Sequence, residues 1–238
     1  MKNENSSGTH PAISEREWGT IKPVSRKKFL SVLGLGGLGA AYLVSCNKDH
    51  DMGPVPPGSI DLGKGDIGIL NYAYALEQLE AAFYTKVIES QYAGITASET
   101  ALLADIRDHE VAHREFFKKA LDKAAIPGLD VNFSSIDFGK RDSVLATAKA
   151  FEDLGVSAYN GAGSLIADKN YLLLAGKIVS VEARHAAYIR DLISNGSFAD
   201  HTVIDANGMD MSKAPADVLM IAQSFLKSKL WGGNLPQS

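Results

Sequence analysis

Two stretches of the 238-residue sequence repeat one arrangement of side chains. Glu110-x-x-His113 is preceded by Glu77, and Glu182-x-x-His185 is preceded by Glu152. A glutamate and a histidine three apart on a helix share a face, so both can address one point. A preceding antiparallel helix brings its own glutamate to that point. Two such hairpins facing each other converge four carboxylates and two imidazoles, a donor set for two metal ions. Chance is a poor source of the pattern. With eleven Glu and six His, random placement yields roughly 0.3 Glu-x-x-His pairs. Two pairs occur, each with a partner glutamate at matching depth.

The elements that must hold these residues are helices. Asp66 is the expected cap of a first helix reaching about Tyr92, with a seam of Leu70, Ala73, Glu77, Glu80, Tyr84 and Val87. Ala93-Gly94 breaks it. Thr96-Ala97-Ser98-Glu99 is a capping-box pattern for a second helix to about Ala125, whose seam includes Ile106, Glu110, His113 and Phe117. Residues 127–140 read as a loop. A third helix starts near Asp142 with Leu145, Ala148, Glu152, Gly155 and Tyr159 on its seam. After a turn at Asp168-Lys169-Asn170, a fourth carries Ile178, Glu182, His185 and Ile189 and stops at Asn195-Gly196. No strand-like alternation competes, so the fold class is all-α, a four-helix bundle over 66–195. Residues 196–238 read as a loop and a short helix from Pro215 to near Leu230, packed on the bundle or forming an interface between copies of a homo-oligomer.

The acidic groups thus lie on the apolar seams. A buried carboxylate costs several kcal/mol unless paired or coordinated, so four together call for a cation. The competing reading makes them boundary residues that reach water. Depth favours the first. Glu77 and Glu110 are equidistant from the Ala93-Gly94 turn, and Glu152 and Glu182 from the Asp168 turn. Each pair therefore meets about 22–25 Å down its hairpin. The connection from about 126 to 141 spans up to roughly 50 Å, enough to cross the bundle and restart the third helix parallel to the second.

The stretches AYALEQLEAAFY (73–84), FEDLGVSAYNGAG (151–163) and VEARHAAYIRDL (181–192) resemble the ferritin-like superfamily, and within it the exported bacterial ferritin-like domain proteins. The resemblance implies Glu77 and Glu152 as terminal ligands, Glu110 and Glu182 as bridging ones, and His113 and His185 each completing one metal. Iron is implied, with manganese the alternative; both suit carboxylate and imidazole. Tyr84 and Tyr159, seven residues after Glu77 and Glu152, are candidate catalytic residues as supporting partners or electron relays; the other reading is core aromatics. Glu80 is either a seventh ligand, as in peroxide-reducing relatives, or a cap on the site's open end. His109 falls off the seam and reads as an outer-face residue.

The rest of the chain bounds location and partners. Ser25-Arg26-Lys27-Lys28 precedes a short, Gly-rich apolar run to Val44, which reads as an export signal over 1–45 resembling a twin-arginine signal with Lys27 in the second arginine's place. The run ends Leu43-Val44-Ser45-Cys46, a lipoprotein box, so Cys46 is the expected lipidation site and a membrane anchor. Residues 46–65, rich in proline and glycine, read as a flexible tether. Residues 1–45 hold six Lys/Arg and three Asp/Glu, leaving 18 basic and 25 acidic residues, net −7, which argues against nucleic-acid binding. Cys46 is the only cysteine, so neither an internal disulfide nor a thiolate iron centre forms, and electrons must come from an external donor. Two functions are expected. One is an envelope di-metal oxidoreductase acting on dioxygen or hydrogen peroxide in stress defence, in the periplasm or on the outer membrane. The other is a non-catalytic ferritin-like scaffold with a structural or vestigial metal.

Overall fold

A computed structural model describes residues 53–237. The export signal and Cys46 lie outside the described residues. Five helices follow in order: α1 (Gly65–Glu89), α2 (Ala97–Leu121), α3 (Arg141–Gly163), α4 (Lys169–Ile193) and α5 (Pro215–Ala222). The first four form the expected bundle, with a long crossover between α2 and α3. None of the described helices is long and apolar enough to cross a membrane.

The contacts give the topology directly. Tyr84 of α1 meets Glu152 of α3, and Glu77 meets Tyr159. One number rises as its partner falls, so α1 and α3 are antiparallel and α3 runs parallel to α2. The α1–α3 seam is the close one between the hairpins; α2 and α4 approach each other less. Accordingly α1 is buried nearly all round, whereas α2 and α4 show the narrow apolar stripe of outer helices.

Buried amides on α1 fasten the crossover. Asn71 donates to the carbonyls of Leu62 and Ala124 and accepts from the Ile126 amide at 2.9 Å. Gln78 accepts from the Leu129 amide at 2.9 Å. Further along, Phe83 packs edge-on against Phe151 and Phe133, and Phe151 against Phe225. This cluster joins α1, α3, the crossover and the C-terminal segment. Phe83 and Phe151, both buried, each contribute about 1.5–3 kcal/mol.

Three local expectations are corrected. Asp66 is not the cap of α1; the helix opens at Gly65 after an extended Lys64. Its carboxylate instead accepts from the amides of Ala167 and Asp168, both at 2.8 Å, and so holds the α3–α4 turn. The stretch read as a tether to Gly65 contains a strand, β1 (Ser59–Asp61), parallel to β2 (Lys229–Trp231). The C-terminal helix, expected to run to near Leu230, ends at Ala222 and passes through one 3-10 turn. Gln223 ends it: its side chain donates to the Ser228 carbonyl and accepts from the Leu230 amide, supplying bonds that a continued helix would have made. The segment before α5 lies against α3 at Gly161, where an added Cβ would fall 1.8 Å from the Lys213 carbonyl oxygen. Only glycine permits that approach.

Candidate metal centre

Each bundle helix delivers its seam carboxylate to the interior. Glu77, Glu110, Glu152 and Glu182 are all fully buried, so the boundary-residue reading fails. Thr96 and Glu99 form the expected reciprocal capping box, which sets the start of α2 and hence the depth of Glu110 and His113. Asp168 caps α4 through the Asn170 amide and does the same for Glu182 and His185.

The six side chains meet in two overlapping groups. Glu77, Glu110, His113 and Glu182 form one; Glu110, Glu152, Glu182 and His185 form the other. Within each, one ligand atom per residue lies within 4.8 Å of the rest. The two shared carboxylates divide their oxygens. Glu110 turns Oε1 to His185 Nδ1 (2.9 Å) and Oε2 to His113 Nδ1 (3.7 Å). Glu182 turns Oε1 to His113 Nδ1 (3.0 Å) and Oε2 to His185 Nδ1 (4.0 Å). Glu77 and Glu152 are each near one imidazole only, at 3.3 and 3.5 Å.

The tyrosines complete this division. Tyr84 donates to Glu152 Oε1 at 2.5 Å, and Tyr159 donates to Glu77 Oε1. Each outer carboxylate therefore has Oε1 held by a tyrosine from the other hairpin and Oε2 free. Burial, and then the neighbouring carboxylates, push both phenols well above their usual range, so they remain donors.

A cation fits what is left over. Glu77 Oε2, Glu152 Oε2, both oxygens of Glu110 and of Glu182, and Nδ1 of His113 and His185 are buried without a hydrogen bond. The imidazole–carboxylate contacts are close but do not meet hydrogen-bond geometry. Buried polar atoms are nearly always satisfied, so a cluster of orphans that are all good metal ligands identifies a site that could hold metal ions. Burial works against an imidazolium, yet Glu110, Glu182 and Glu77 overcome it at His113, and Glu110 and Glu152 do so at His185, raising both well above the ordinary value. Burial also pushes Glu182 and Glu80 far up, reinforced by their carboxylate neighbours.

Glu80 belongs to neither group. It is buried beside the site, where Gly155 makes room for it: a Cβ on Gly155 would lie 3.1 Å from Glu80 Oε1 and 3.6 Å from Glu182 Oε2. His109 is exposed, as an outer-face residue should be, but it is not idle there. Its Nδ1 lies 2.9 Å from Nε2 of His185, a contact the seam reading missed because position 109 points away from the α2 stripe. A narrow apolar cavity of about 30 Å³ abuts Tyr159, walled by Tyr72, Leu76, Phe117, Ala162 and Leu174.

Comparison with curated proteins finds no match to this chain. The ferritin-like domain matches residues 65–195, from the first residue of α1 to just past the end of α4 and so including every ligand candidate, and the chain belongs to that family.

Proposed function

We propose that this protein is a di-metal oxidoreductase, with iron as the metal and manganese as the alternative, exported to the bacterial envelope and anchored there through a lipidated Cys46. The observation that carries the reading is the sharing of Glu110 and Glu182 between two donor groups, each carboxylate offering one oxygen to either side. That is the arrangement two adjacent ions require. Glu77 with His113 would complete one ion, and Glu152 with His185 the other. Bound iron supplies the electrons that reduce dioxygen or hydrogen peroxide, replenished by an external donor. The chain's part is to fix the donors in a dry interior, to hold Glu77 and Glu152 through Tyr159 and Tyr84, and to keep Glu80 within reach as a spare carboxylate. The apolar cavity at Tyr159 suits dioxygen, which needs no hydrogen-bond partner, better than peroxide.

The test is metal content followed by turnover. The purified chain is expected to bind two metal ions, and Glu110→Ala combined with Glu182→Ala to bind none; stoichiometry untouched by the double change ends the reading. Ferrous-dependent oxygen uptake is expected from the unaltered chain. Metal that raises the melting temperature without turnover transfers the site to the scaffold function.

A further inference from the structure

The two halves of the centre share their ligands but not what stands behind them. His185 faces the carboxylates with Nδ1, so its remote nitrogen, Nε2, points outward, 2.9 Å from His109 Nδ1. The two rings are within 6° of parallel and their centroids are 5.2 Å apart. The nitrogen–nitrogen gap plus the two ring radii accounts for that separation. The rings therefore meet edge to edge in one plane, the geometry of an in-line hydrogen bond and not of face-to-face stacking.

The direction of the bond follows from the site. An imidazole that offers Nδ1 to a cation keeps its proton on Nε2. His185 thus donates and His109 accepts. A partner of this kind selects the ligand's tautomer, stops rotation of its ring and raises its basicity. His113 has no counterpart: among the described residues no side chain or carbonyl hydrogen-bonds its Nε2, and the position matching His109 in the second motif is Val181. His113 is also the less enclosed imidazole, with its side chain 14% exposed against 6% for His185.

We infer that His109 is a positioning residue that makes the two metal positions unequal, so that the His185–Glu152 position fills first and more tightly than the His113–Glu77 position. This rests on the di-metal reading above but can fail separately from it.

Cobalt(II) added to the metal-free full chain, followed by calorimetry and by ligand-field absorbance, tests it. The unaltered chain is expected to take up two ions in two resolved steps. His109→Leu, which keeps bulk and removes the acceptor, is expected to weaken the tighter step by about 10–100-fold and leave the other in place. His109→Gln, whose amide oxygen can accept the same bond, restores most of the loss. The metal-free melting temperature of His109→Leu falls slightly, because His185 loses its acceptor, and returns in His109→Gln. Two equal steps in the unaltered chain, no change in His109→Leu, or equal losses in His109→Leu and His109→Gln would overturn the inference while the di-metal reading stands. No cobalt bound by the unaltered chain would overturn both.

Discussion

The two helical hairpins are near-copies in their ligands and differ beside them. Each contributes one outer glutamate, one shared glutamate, one histidine and one tyrosine, and each tyrosine serves the other hairpin's glutamate. The hairpins also tie each other's ends. Asp66 at the start of α1 holds the α3–α4 turn, and Arg141 at the start of α3 reaches Glu99, just past the α1–α2 turn, at 2.7 Å. Against this reciprocity stand two departures, Glu80 opposite Gly155 and His109 where the second motif has Val181. What repeats is what a pair of ions demands of the protein. What does not repeat is free to make the two positions chemically distinct.

The sharpest way to break the equality of the halves is through the tyrosines. Removing either hydroxyl leaves a buried carboxylate oxygen without its donor, at a cost of about 1–3 kcal/mol. Tyr84→Phe and Tyr159→Phe in the metal-free chain are expected to lose similar amounts of stability, read by chemical denaturation. The loss should shrink when metal is present, because an ion takes over the charge. Strongly unequal losses would show that the reciprocal hydrogen bonds are not equivalent.

The repeated part is also the part that could be read without coordinates. Glu-x-x-His at helical spacing, with a partner glutamate equidistant from a turn, fixes face and depth together, and Glu77, Glu110, His113, Glu152, Glu182 and His185 all converge. The unrepeated part was not legible. His109 lies off the α2 stripe, and its role exists only because α4 turns the outer edge of His185 toward it. The β1–β2 pairing joins residues about 170 positions apart, and nothing in three-residue strands announces such a pairing. Asn71 and Gln78 look like ordinary polar helix residues until the crossover is laid over α1, where their amides become the attachment. Gly155 was visible as the counterpart of Glu80, but that it vacates the space Glu80 fills is a fact of packing.

That packing yields the next prediction. Within a helix, glycine is worth about 1 kcal/mol less than alanine, so Gly155→Ala should stabilise α3 by that amount if the site were empty space. The new methyl instead meets Glu80 Oε1 at 3.1 Å and nears Glu182 Oε2 at 3.6 Å. The gain is expected to vanish or reverse in the unaltered background and to appear in full when Glu80→Ala is also present. A double-mutant cycle by denaturation measures the coupling. If Gly155→Ala has the same effect in both backgrounds, Glu80 and Gly155 are not a matched pair.

The smallest expected effect concerns the end ties. Burial works to raise the Glu99 carboxyl, but the Thr96 amide and the Arg141 guanidinium outweigh it and hold it below the ordinary carboxylate value. Arg141 also donates to the Leu192 carbonyl at 3.1 Å, so this ion pair links α2, α3 and α4. Because the folded-state value is depressed, the contribution is complete above the unfolded carboxylate value and disappears as pH falls through the lowered one. With the Arg141 side chain 37% exposed, water screens the pair, and Glu99→Gln should cost only about 0.5–1 kcal/mol at neutral pH. The difference in melting temperature between Glu99→Gln and the unaltered metal-free chain should narrow as the solution is acidified. A gap that stays constant across that range would mean that Glu99 acts through its capping bonds to Thr96 alone, and that at this end charge does not join the two hairpins.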